Sequence, residues 1–300
     1  MKANFNIKIL LIFFVFFLSF SQAKSDQNTV DIIIFSFDRP LQLYALLESI
    51  ETYMSGVGDI RIIYRSSNND YENGYQIVKE NFPNTIFLKQ GANPKKDFKP
   101  LTMKSLRESQ HGYIVFAVDD IIVKDFVDLE HAAEILRETN AYGFYLRLGL
   151  HITYCYAENK TQPIPKHNHV IDNVYSWHFK DGRYDWCYPN TVDMTIYKKD
   201  EILKEFPSFG FSNPNTLEAN WHIRRKRIMH RKGLCCHHSK IINIPVNRVQ
   251  NTFRNRNMNS LSPKELLEIF YKGLKVDIAA LFKINNKGVH EPYNLTFVNI

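Results

Sequence analysis

Residues Tyr113–Asp120 read YIVFAVDD, six apolar residues followed by two adjacent acids. A strand that is apolar at every position is typical of a parallel sheet whose two faces are both covered. In such sheets, ligands bind beyond the carboxyl ends of the strands. The stretch therefore predicts an α/β fold with a polar site at Asp119 and Asp120.

The residues before this stretch alternate between strand and helix patterns. Such an order predicts a parallel sheet with right-handed crossovers. The strands are predicted over Thr29–Phe35, Ile60–Tyr64 and Thr85–Leu88, and the helices over Leu41–Tyr53, Tyr71–Asn81 and Phe98–Gln110.

The second half of the chain is less regular, and no internal repeat or linker divides it. Residues 157–174 are polar and contain two prolines, which favours a surface loop. The pattern predicts strands at Gly143–Leu148 and Val192–Lys198, helices at Asp128–Thr139, Lys199–Phe206 and Pro214–Met229, and one amphipathic helix after Lys264.

Length and charge narrow the classes of protein. The chain has 300 residues, 44% of them hydrophobic, which is enough for a sizeable core. Its net charge of +7 suits anionic ligands such as nucleotide phosphates, but ordinary surface charge is the better default explanation. The densest basic run, Arg224–Arg227, lies on a predicted helix and is interpreted as a solvated face. We therefore expect no nucleic-acid partner.

The amino terminus has the pattern of a targeting segment. Lys2 and Lys8 precede the apolar run Ile9–Phe20, and small residues follow up to Ala23. As a helix, twelve residues span only ~18 Å, less than a bilayer core of about 30 Å. Residues 1–23 are therefore predicted to be a secretory signal peptide or a short membrane anchor, placing the protein in the secretory pathway or an exported, periplasmic or membrane-tethered location.

Four cysteines follow that segment. Export would permit disulfides, and three pairings are open. Cys235 and Cys236 precede two histidines, but adjacent residues of a strand point to opposite faces, which argues against a structural zinc site.

The order of these features resembles the nucleotide-binding half of GT-A glycosyltransferases, in particular the family 2 group. The likeness covers Val30–Asp125 and extends more loosely to Trp221, with Val118 standing where a strict DXD motif has its first acid. The resemblance implies a GT-A, Rossmann-like, mostly parallel sheet flanked by helices, with an acceptor-side α+β extension. It implies one domain over residues 24–300: a nucleotide-binding half (24–125), an acceptor half (126–260) and a C-terminal helix and tail (261–300).

The activity implied by the resemblance is metal-assisted transfer of a sugar from a nucleotide-linked donor to a glycan, lipid or protein hydroxyl. Two adjacent carboxylates after a buried strand repel each other, and a divalent cation would offset both that repulsion and their desolvation. Oxygen ligands suit Mn²⁺ or Mg²⁺, so Asp119 and Asp120 are the predicted metal ligands. The alternative is an acidic turn that ends the strand. The resemblance implies a late histidine, His238 or its neighbour His237, as a third ligand, and the alternative there is a structural histidine.

The predicted donor contacts lie at the strand ends. The loop Ser36-Phe37-Asp38-Arg39 follows the first strand and Arg65 the second, and these residues, together with Asp119, are expected to contact the nucleotide. The alternative for Asp38 is a cap on the helix that begins near Pro40. Lys99 and Lys104 are candidates for phosphate or sugar contacts, or for solvated lysines.

The candidate base is Glu218, near the start of a predicted helix and close to Trp221. The resemblance implies that its carboxylate takes the proton of the acceptor hydroxyl. The alternative is a residue that only stabilises the first helical turn. Asp193 is a second candidate for base or acceptor contact.

Four aromatic residues, Trp177, Trp186, Tyr184 and Tyr188, would form either an acceptor platform or core packing. Two other functions remain open: a non-catalytic glycan-binding module on a degenerate GT-A scaffold, and a metal-dependent hydrolase of sugar or phosphate esters.

Overall fold

The computed structural model describes residues 28–250, 256–258 and 260–300. The predicted targeting segment, residues 1–23, lies outside these ranges. Within them, no helix combines the length and the apolar character needed to cross a bilayer.

The first half of the described chain alternates strands and helices, as predicted. Its elements are β1 Val30–Phe37, α1 Pro40–Tyr53, β2 Met54–Ser55, β3 Val57–Arg65, α2 Asn69–Asn81, β4 Ile86–Lys89, α3 Pro94–Glu108, β5 Tyr113–Val118, β6 Ile121–Val123, β7 Val127–Asp128 and α4 Leu129–Thr139.

The second half contains more strands than the sequence pattern indicates. Its elements are β8 Gly143–Tyr145, β9 Tyr154–Cys155, β10 Lys160–Thr161, β11 His167–Ile171, β12 Val174–His178, β13 Thr195–Lys198, α5 Lys199–Glu205, α6 Pro214–His222, β14 Lys232–Cys236, β15 Ile241–Asn243, α7 Pro263–Tyr271, β16 Leu274–Val276 and β17 Phe297–Asn299.

Nine of the described strands form one central sheet in the order β11-β12-β14-β8-β13-β5-β1-β3-β4. β5, β1, β3 and β4 pair in parallel, and so do β14 and β8. The antiparallel pairings leave only β12 and β13 running against the other seven strands. The sheet is therefore mixed but mostly parallel, which confirms the predicted fold class.

Helices cover both faces of this sheet. Alternate residues of β1 therefore point into two separate cores. Ile32 and Ile34 pack in one core with buried residues of α1, α2, α4 and α7. Ile33 and Phe35 pack in the other with residues of α3, α5 and α6. The period of two along a strand sends each apolar residue to one layer or the other, so every position of β1 must be apolar except where a partner compensates.

Local sequence explains where several helices begin. Asn68 caps α2 by accepting a hydrogen bond from the backbone N–H of Tyr71. α6 and α7 each begin with a capping box, formed by Asn213 with Thr216 and by Ser262 with Glu265. These reciprocal hydrogen bonds satisfy the unpaired N–H groups of the first turn, which fixes the direction in which α6 approaches the sheet.

Two expectations for the second half were wrong. Residues 157–174 are not only a loop, because β10 and β11 lie there, and β11 pairs with β12 at the sheet edge. The helix predicted to reach Met229 ends at His222 and continues as a 3-10 turn over Ile223–Arg227. These elements depend on pairing with distant strands, so a local periodicity does not reveal them.

The four cysteines are all free thiols. Cys235 and Cys236 are adjacent on β14, and their side chains belong to the two different cores. This confirms that neighbouring strand residues point to opposite faces, so the two thiols do not form a common metal site.

Phe116 tests the second core. Its ring is fully buried and lies 5.5 Å from Phe206 and 6.3 Å from Trp221, centroid to centroid. We expect Phe116→Ala to lower the free energy of unfolding by about 3–5 kcal/mol, because the substitution leaves a cavity that the sheet cannot close. Urea denaturation measures the change. Ile223→Ala, at a side chain that is 71% exposed, is the control and should change stability by no more than about 0.5 kcal/mol. Equal effects of the two substitutions would contradict this packing.

Candidate active site

A cavity of about 1630 Å³ opens at the carboxyl ends of β1, β3 and β5. One wall is formed by the loops that follow these strands. A second wall is formed by α6 and by the segments around Tyr188 and His290. The site predicted at the strand ends and the predicted acceptor side thus face one common space.

The loop after β1 is held in place by hydrogen bonds to neighbouring elements. The hydroxyls of Ser36 and Tyr75 lie 2.6 Å apart, and the backbone N–H of Arg39 donates to the Tyr75 hydroxyl at 3.3 Å. The Arg65 guanidinium lies over the ring of Phe37, 3.9 Å from its centroid. Of the predicted donor contacts, Ser36, Phe37, Arg39 and Arg65 line the cavity.

Asp38 has a structural task in this loop. Its φ of 52° is in the left-handed region, and its carboxylate accepts a hydrogen bond from the backbone N–H of Ser67 at 2.8 Å. Burial raises the pKa of Asp38, against the hydrogen bonds from Ser67. Asp38 is not among the residues that line the cavity, and it does not cap α1, where the N-cap residue is Arg39. Its carboxylate joins the loops that follow β1 and β3.

The two lysines predicted to contact the donor do not line the cavity. The Lys99 ammonium donates to the backbone carbonyls of Phe209 and Pro207, at 2.6 and 3.3 Å. Lys104 is 54% exposed, and its ammonium lies 3.8 Å from Glu108. Helix α3 begins at Pro94, one turn earlier than predicted, so Lys95 reaches the cavity instead.

Arg39 lies between the two acids that follow β5. Its Nη1 is 2.9 Å from Oδ1 of Asp119 and 3.0 Å from Oδ2 of Asp120. Its Nε donates to the side-chain oxygen of Asn247 at 3.1 Å, and its Nη2 donates to the Asn247 carbonyl at 2.6 Å. The guanidinium is therefore held on three nitrogens and is only 7% exposed as a residue.

The remaining oxygens of the acidic pair also accept hydrogen bonds. Oδ2 of Asp119 accepts from the backbone N–H of Phe37 at 3.1 Å, and Oδ1 of Asp120 accepts from the side-chain amide of Asn243 at 3.2 Å. All four carboxylate oxygens thus have protein donors.

Burial raises the pKa of Asp119 to about 6, and the positive charge of Arg39 opposes that rise. Burial alone would lower the pKa of Arg39, but the two carboxylates outweigh it and raise that pKa. The pair and the guanidinium therefore depend on each other for their charged states.

The predicted third metal ligand, His238, lies elsewhere. Its ring is 5.1 Å from that of His151 and 4.6 Å from that of His237, and it does not line the cavity. In the described part of the chain, no three or more His, Cys, Asp or Glu side chains are grouped so that they could hold a metal ion. Arg39 already occupies the position between Asp119 and Asp120 that the predicted cation would take. The residues present therefore do not fit the Mn²⁺ or Mg²⁺ site expected from the sequence.

Glu218 and Asp193 lie close together in the second wall of the cavity. Glu218 is on α6, and its Oε1 accepts a hydrogen bond from the backbone N–H of Val192 at 3.1 Å. Asp193 follows directly and is 8% exposed. Its Oδ2 lies 3.9 Å from Nε2 of His290. The capping box that starts α6 positions Glu218 one turn into the helix, so the two candidate acids are brought together.

Burial raises the pKa of Glu218 to about 7, and the negative charge of Asp193 adds to the rise. Burial likewise raises the pKa of Asp193, while His290 and Arg147 oppose the shift. Two neighbouring carboxylates that are both buried oppose each other's ionisation, so they lose their protons at a higher pH than isolated carboxyls would.

Sequence reasoning missed Arg147 and His290. Arg147 lies just after β8, is 1% exposed, and its Nη2 donates to the carbonyls of Asp185 and Tyr188 at 3.1 and 2.8 Å. Its positive charge opposes the rise that burial causes in the pKa values of Asp193 and Glu218. An arginine within the predicted strand Gly143–Leu148 was the available signal, since a buried arginine needs acidic or carbonyl partners.

The predicted aromatic cluster divides between core and cavity. Trp177 and Trp186 are buried and pack edge to face with centroids 4.9 Å apart. Tyr184 and Tyr188 line the cavity, and the ring of Tyr188 stacks on that of His222 at 3.9 Å. The tryptophans are therefore core residues, and the tyrosines belong to the cavity wall that carries Glu218.

Comparison with known proteins adds a similarity in sequence. No protein-family model matches the chain. The chain is 27% identical over 304 residues to the bifunctional glycosyltransferase pgtA of Dictyostelium discoideum, an alignment that covers 89% of this chain and 39% of that protein. This similarity confirms the resemblance to glycosyltransferases predicted from the sequence. Because the chain spans well under half of its relative, the match does not transfer the relative's activities to it.

Among solved structures, one neighbour is S. aureus TarS 1-349 in complex with UDP, with a TM-score of 0.48 and 12% identity, covering 71% of this chain and 59% of that one. Another is the mannosyltransferase PcManGT from Pyrobaculum calidifontis in complex with GDP-Man and Mn²⁺, with a TM-score of 0.38 and 10% identity, covering 70% and 56%. At such identities and scores, neither likeness says anything about the ligands of this chain.

The raised pKa of Glu218 predicts a pH-dependent stability. A carboxyl whose folded pKa is about 7 and whose ordinary value is 4.5 favours folding below pH 4.5, and this contribution is lost as the pH rises through 7. Glu218→Gln removes the ionisation and keeps an oxygen for the Val192 N–H. The quantity to compare is the free energy of unfolding of the variant minus that of wild type. We expect this difference to become more positive by on the order of 1–2 kcal/mol from about pH 5 to about pH 8.5, because only wild type loses the contribution of Glu218.

Urea denaturation at the two pH values measures this difference. Glu80→Gln, at an exposed glutamate of α2, is the matched control and should show no such change with pH. A Glu218→Gln effect that is the same at both pH values would contradict the raised pKa.

Proposed function

We propose that this protein transfers a glycosyl group from a nucleotide-linked donor to a hydroxyl acceptor. One observation carries the proposal: a single cavity joins the loops at the strand carboxyl ends to a wall that holds Glu218 and Asp193. A donor bound at the first wall would present its sugar toward a carboxylate that is able to accept a proton near neutral pH.

The donor side is formed by the loops after β1, β3 and β5, the usual place for nucleotides on a parallel sheet. The Arg65 guanidinium, stacked on Phe37, offers a fixed positive charge there. Among the described residues, eight arginines and lysines line the cavity against six carboxylates, which favours an anionic ligand. The basic residues are Arg39, Arg65, Lys95, Arg147, Arg183, Arg225, Arg248 and Arg256, and the acids are Asp119, Asp120, Glu158, Asp185, Asp193 and Glu218.

Glu218 is the proposed general base. Its carboxylate would accept the proton of the acceptor hydroxyl while the acceptor oxygen forms a bond to the anomeric carbon. The bond between that carbon and the diphosphate oxygen breaks at the same time, and the electron pair leaves with the nucleoside diphosphate. A base works best when its pKa is near the working pH, and burial beside Asp193 gives Glu218 such a value.

Tyr188 and Asp193 are the proposed acceptor contacts. Tyr188 presents an aromatic face stacked on His222 beside Glu218, and sugar rings pack on such faces. Asp193 offers a carboxylate to an acceptor hydroxyl and keeps the pKa of Glu218 high by its charge. The acceptor is accordingly a hydroxyl compound, whether glycan, lipid or protein.

Metal assistance, which was part of the sequence prediction, is not part of this proposal. The two acids that would hold the ion accept hydrogen bonds from Arg39 on one oxygen each.

The proposal predicts separate effects on binding and on chemistry. Glu218→Gln should leave the affinity for nucleoside diphosphate sugars unchanged, as measured by calorimetric titration with a panel of them. The same variant should lose about 10²–10⁴-fold in transfer rate with the sugar that binds, because the amide accepts no proton. In wild type the rate should fall as the pH drops below about 7, where Glu218 becomes protonated.

Glu80→Gln should keep the full rate and the wild-type pH profile. Full turnover in Glu218→Gln would remove this residue from the mechanism. Binding of glycans without any nucleotide sugar binding would favour the glycan-binding module, and sugar or phosphate release without an acceptor would favour a hydrolase.

A further inference from the structure

We propose that Arg39 is a built-in cation for the acidic pair, so that the protein binds a nucleoside diphosphate without a divalent metal at Asp119 and Asp120. The statement about the diphosphate rests on the proposed function. The statement about the two acids stands on the geometry of the side chains alone.

Arg39 is fixed where a metal ion would otherwise be held. One nitrogen contacts both carboxylates, at 2.9 and 3.0 Å, and the other two donate to the side chain and the carbonyl of Asn247. Asn247 is itself anchored, because its side-chain amide donates to the carbonyl of Leu261 at 2.9 Å. A guanidinium with a planar fork of donors, held on three nitrogens, has lost the freedom to swing away.

Each oxygen of the two acids already accepts one hydrogen bond from the protein. Asp119 accepts from Arg39 and from the Phe37 N–H, and Asp120 accepts from Arg39 and from Asn243. A Mn²⁺ or Mg²⁺ ion would have to break the ion pairs and leave a buried guanidinium without a counter-charge, which costs several kcal/mol.

The two acids are therefore positioning residues. Both acids accept hydrogen bonds from Arg39, and Asp119 also accepts one from the backbone N–H of Phe37. These contacts fix the loop at the carboxyl end of β1. The charge of an incoming diphosphate is met by cations of the protein, with Arg65 placed on the same wall. Removal of the acceptor proton is assigned to Glu218, so that step does not require a metal ion either.

The first experiment uses Mn²⁺ alone, with the full chain, and follows free Mn²⁺ by electron paramagnetic resonance. Wild type should show no stoichiometric Mn²⁺ site. Arg39→Met removes the guanidinium and keeps an apolar stem of similar length, so it should expose the acidic pair and gain one Mn²⁺ site. Adding Asp120→Asn to that variant should abolish the site.

The matched control is Arg65→Met, which removes a cation of the same wall that has no bond to the acids. It should gain no Mn²⁺ site. One Mn²⁺ bound by wild type and lost in Asp120→Asn would overturn the proposal, and this arm remains decisive even where Arg39→Met fails to fold.

The second experiment titrates UDP and GDP into wild type, once in EDTA and once in Mn²⁺. For the diphosphate that binds, the two dissociation constants should agree within about twofold, a difference of less than ~0.5 kcal/mol. A loss of about tenfold or more in EDTA would overturn the proposal. Failure of every nucleoside diphosphate to bind in either condition would refute the proposed function, while the Mn²⁺ measurement would still decide the role of Arg39.

Discussion

The contact between Arg39 and the two acids after β5 is the interaction on which the rest of the site depends. It ties the carboxyl ends of β1 and β5 to the segment at Asn247, more than 200 residues along the chain. Without the acids Arg39 would be an unpaired buried charge, and so would the acids without Arg39. Such a charge destabilises the fold by far more than an ion pair stabilises it. Once paired, the three side chains form a polar surface at the carboxyl ends of β1 and β5.

The cavity solves the problem of buried acids in two different ways. Asp119 and Asp120 share one guanidinium at hydrogen-bonding distance, whose charge opposes the rise that burial causes in the pKa of Asp119. Burial also raises the pKa values of Glu218 and Asp193, and the opposing charges there are His290 and Arg147. In the proposed mechanism the first pair positions Arg39, and the second pair supplies the base.

Much of the fold follows from local pattern. The apolar run of β5 and the helical spacing of α1 predict the parallel half of the sheet, because burial on both faces leaves a direct trace in sequence. Strands β11, β12 and β14 leave a weaker trace, since their pairings are antiparallel or lie at the sheet edge. The end of α6 at His222 likewise left no trace in the sequence pattern, which predicted a helix up to Met229.

The sequence by itself determined the layered α/β architecture, the acidic end of β5 and the candidacy of Glu218, since each depends on neighbours within a few residues. Only the tertiary structure decided what those residues contact. It brought Arg39 to Asp119 across 80 positions, placed Asp193 beside Glu218 and His290, and left Lys99 and His238 outside the cavity. The physical reason is that a charge is neutralised by whatever lies within a few ångströms of it in space, and spacing along the chain carries no record of that distance.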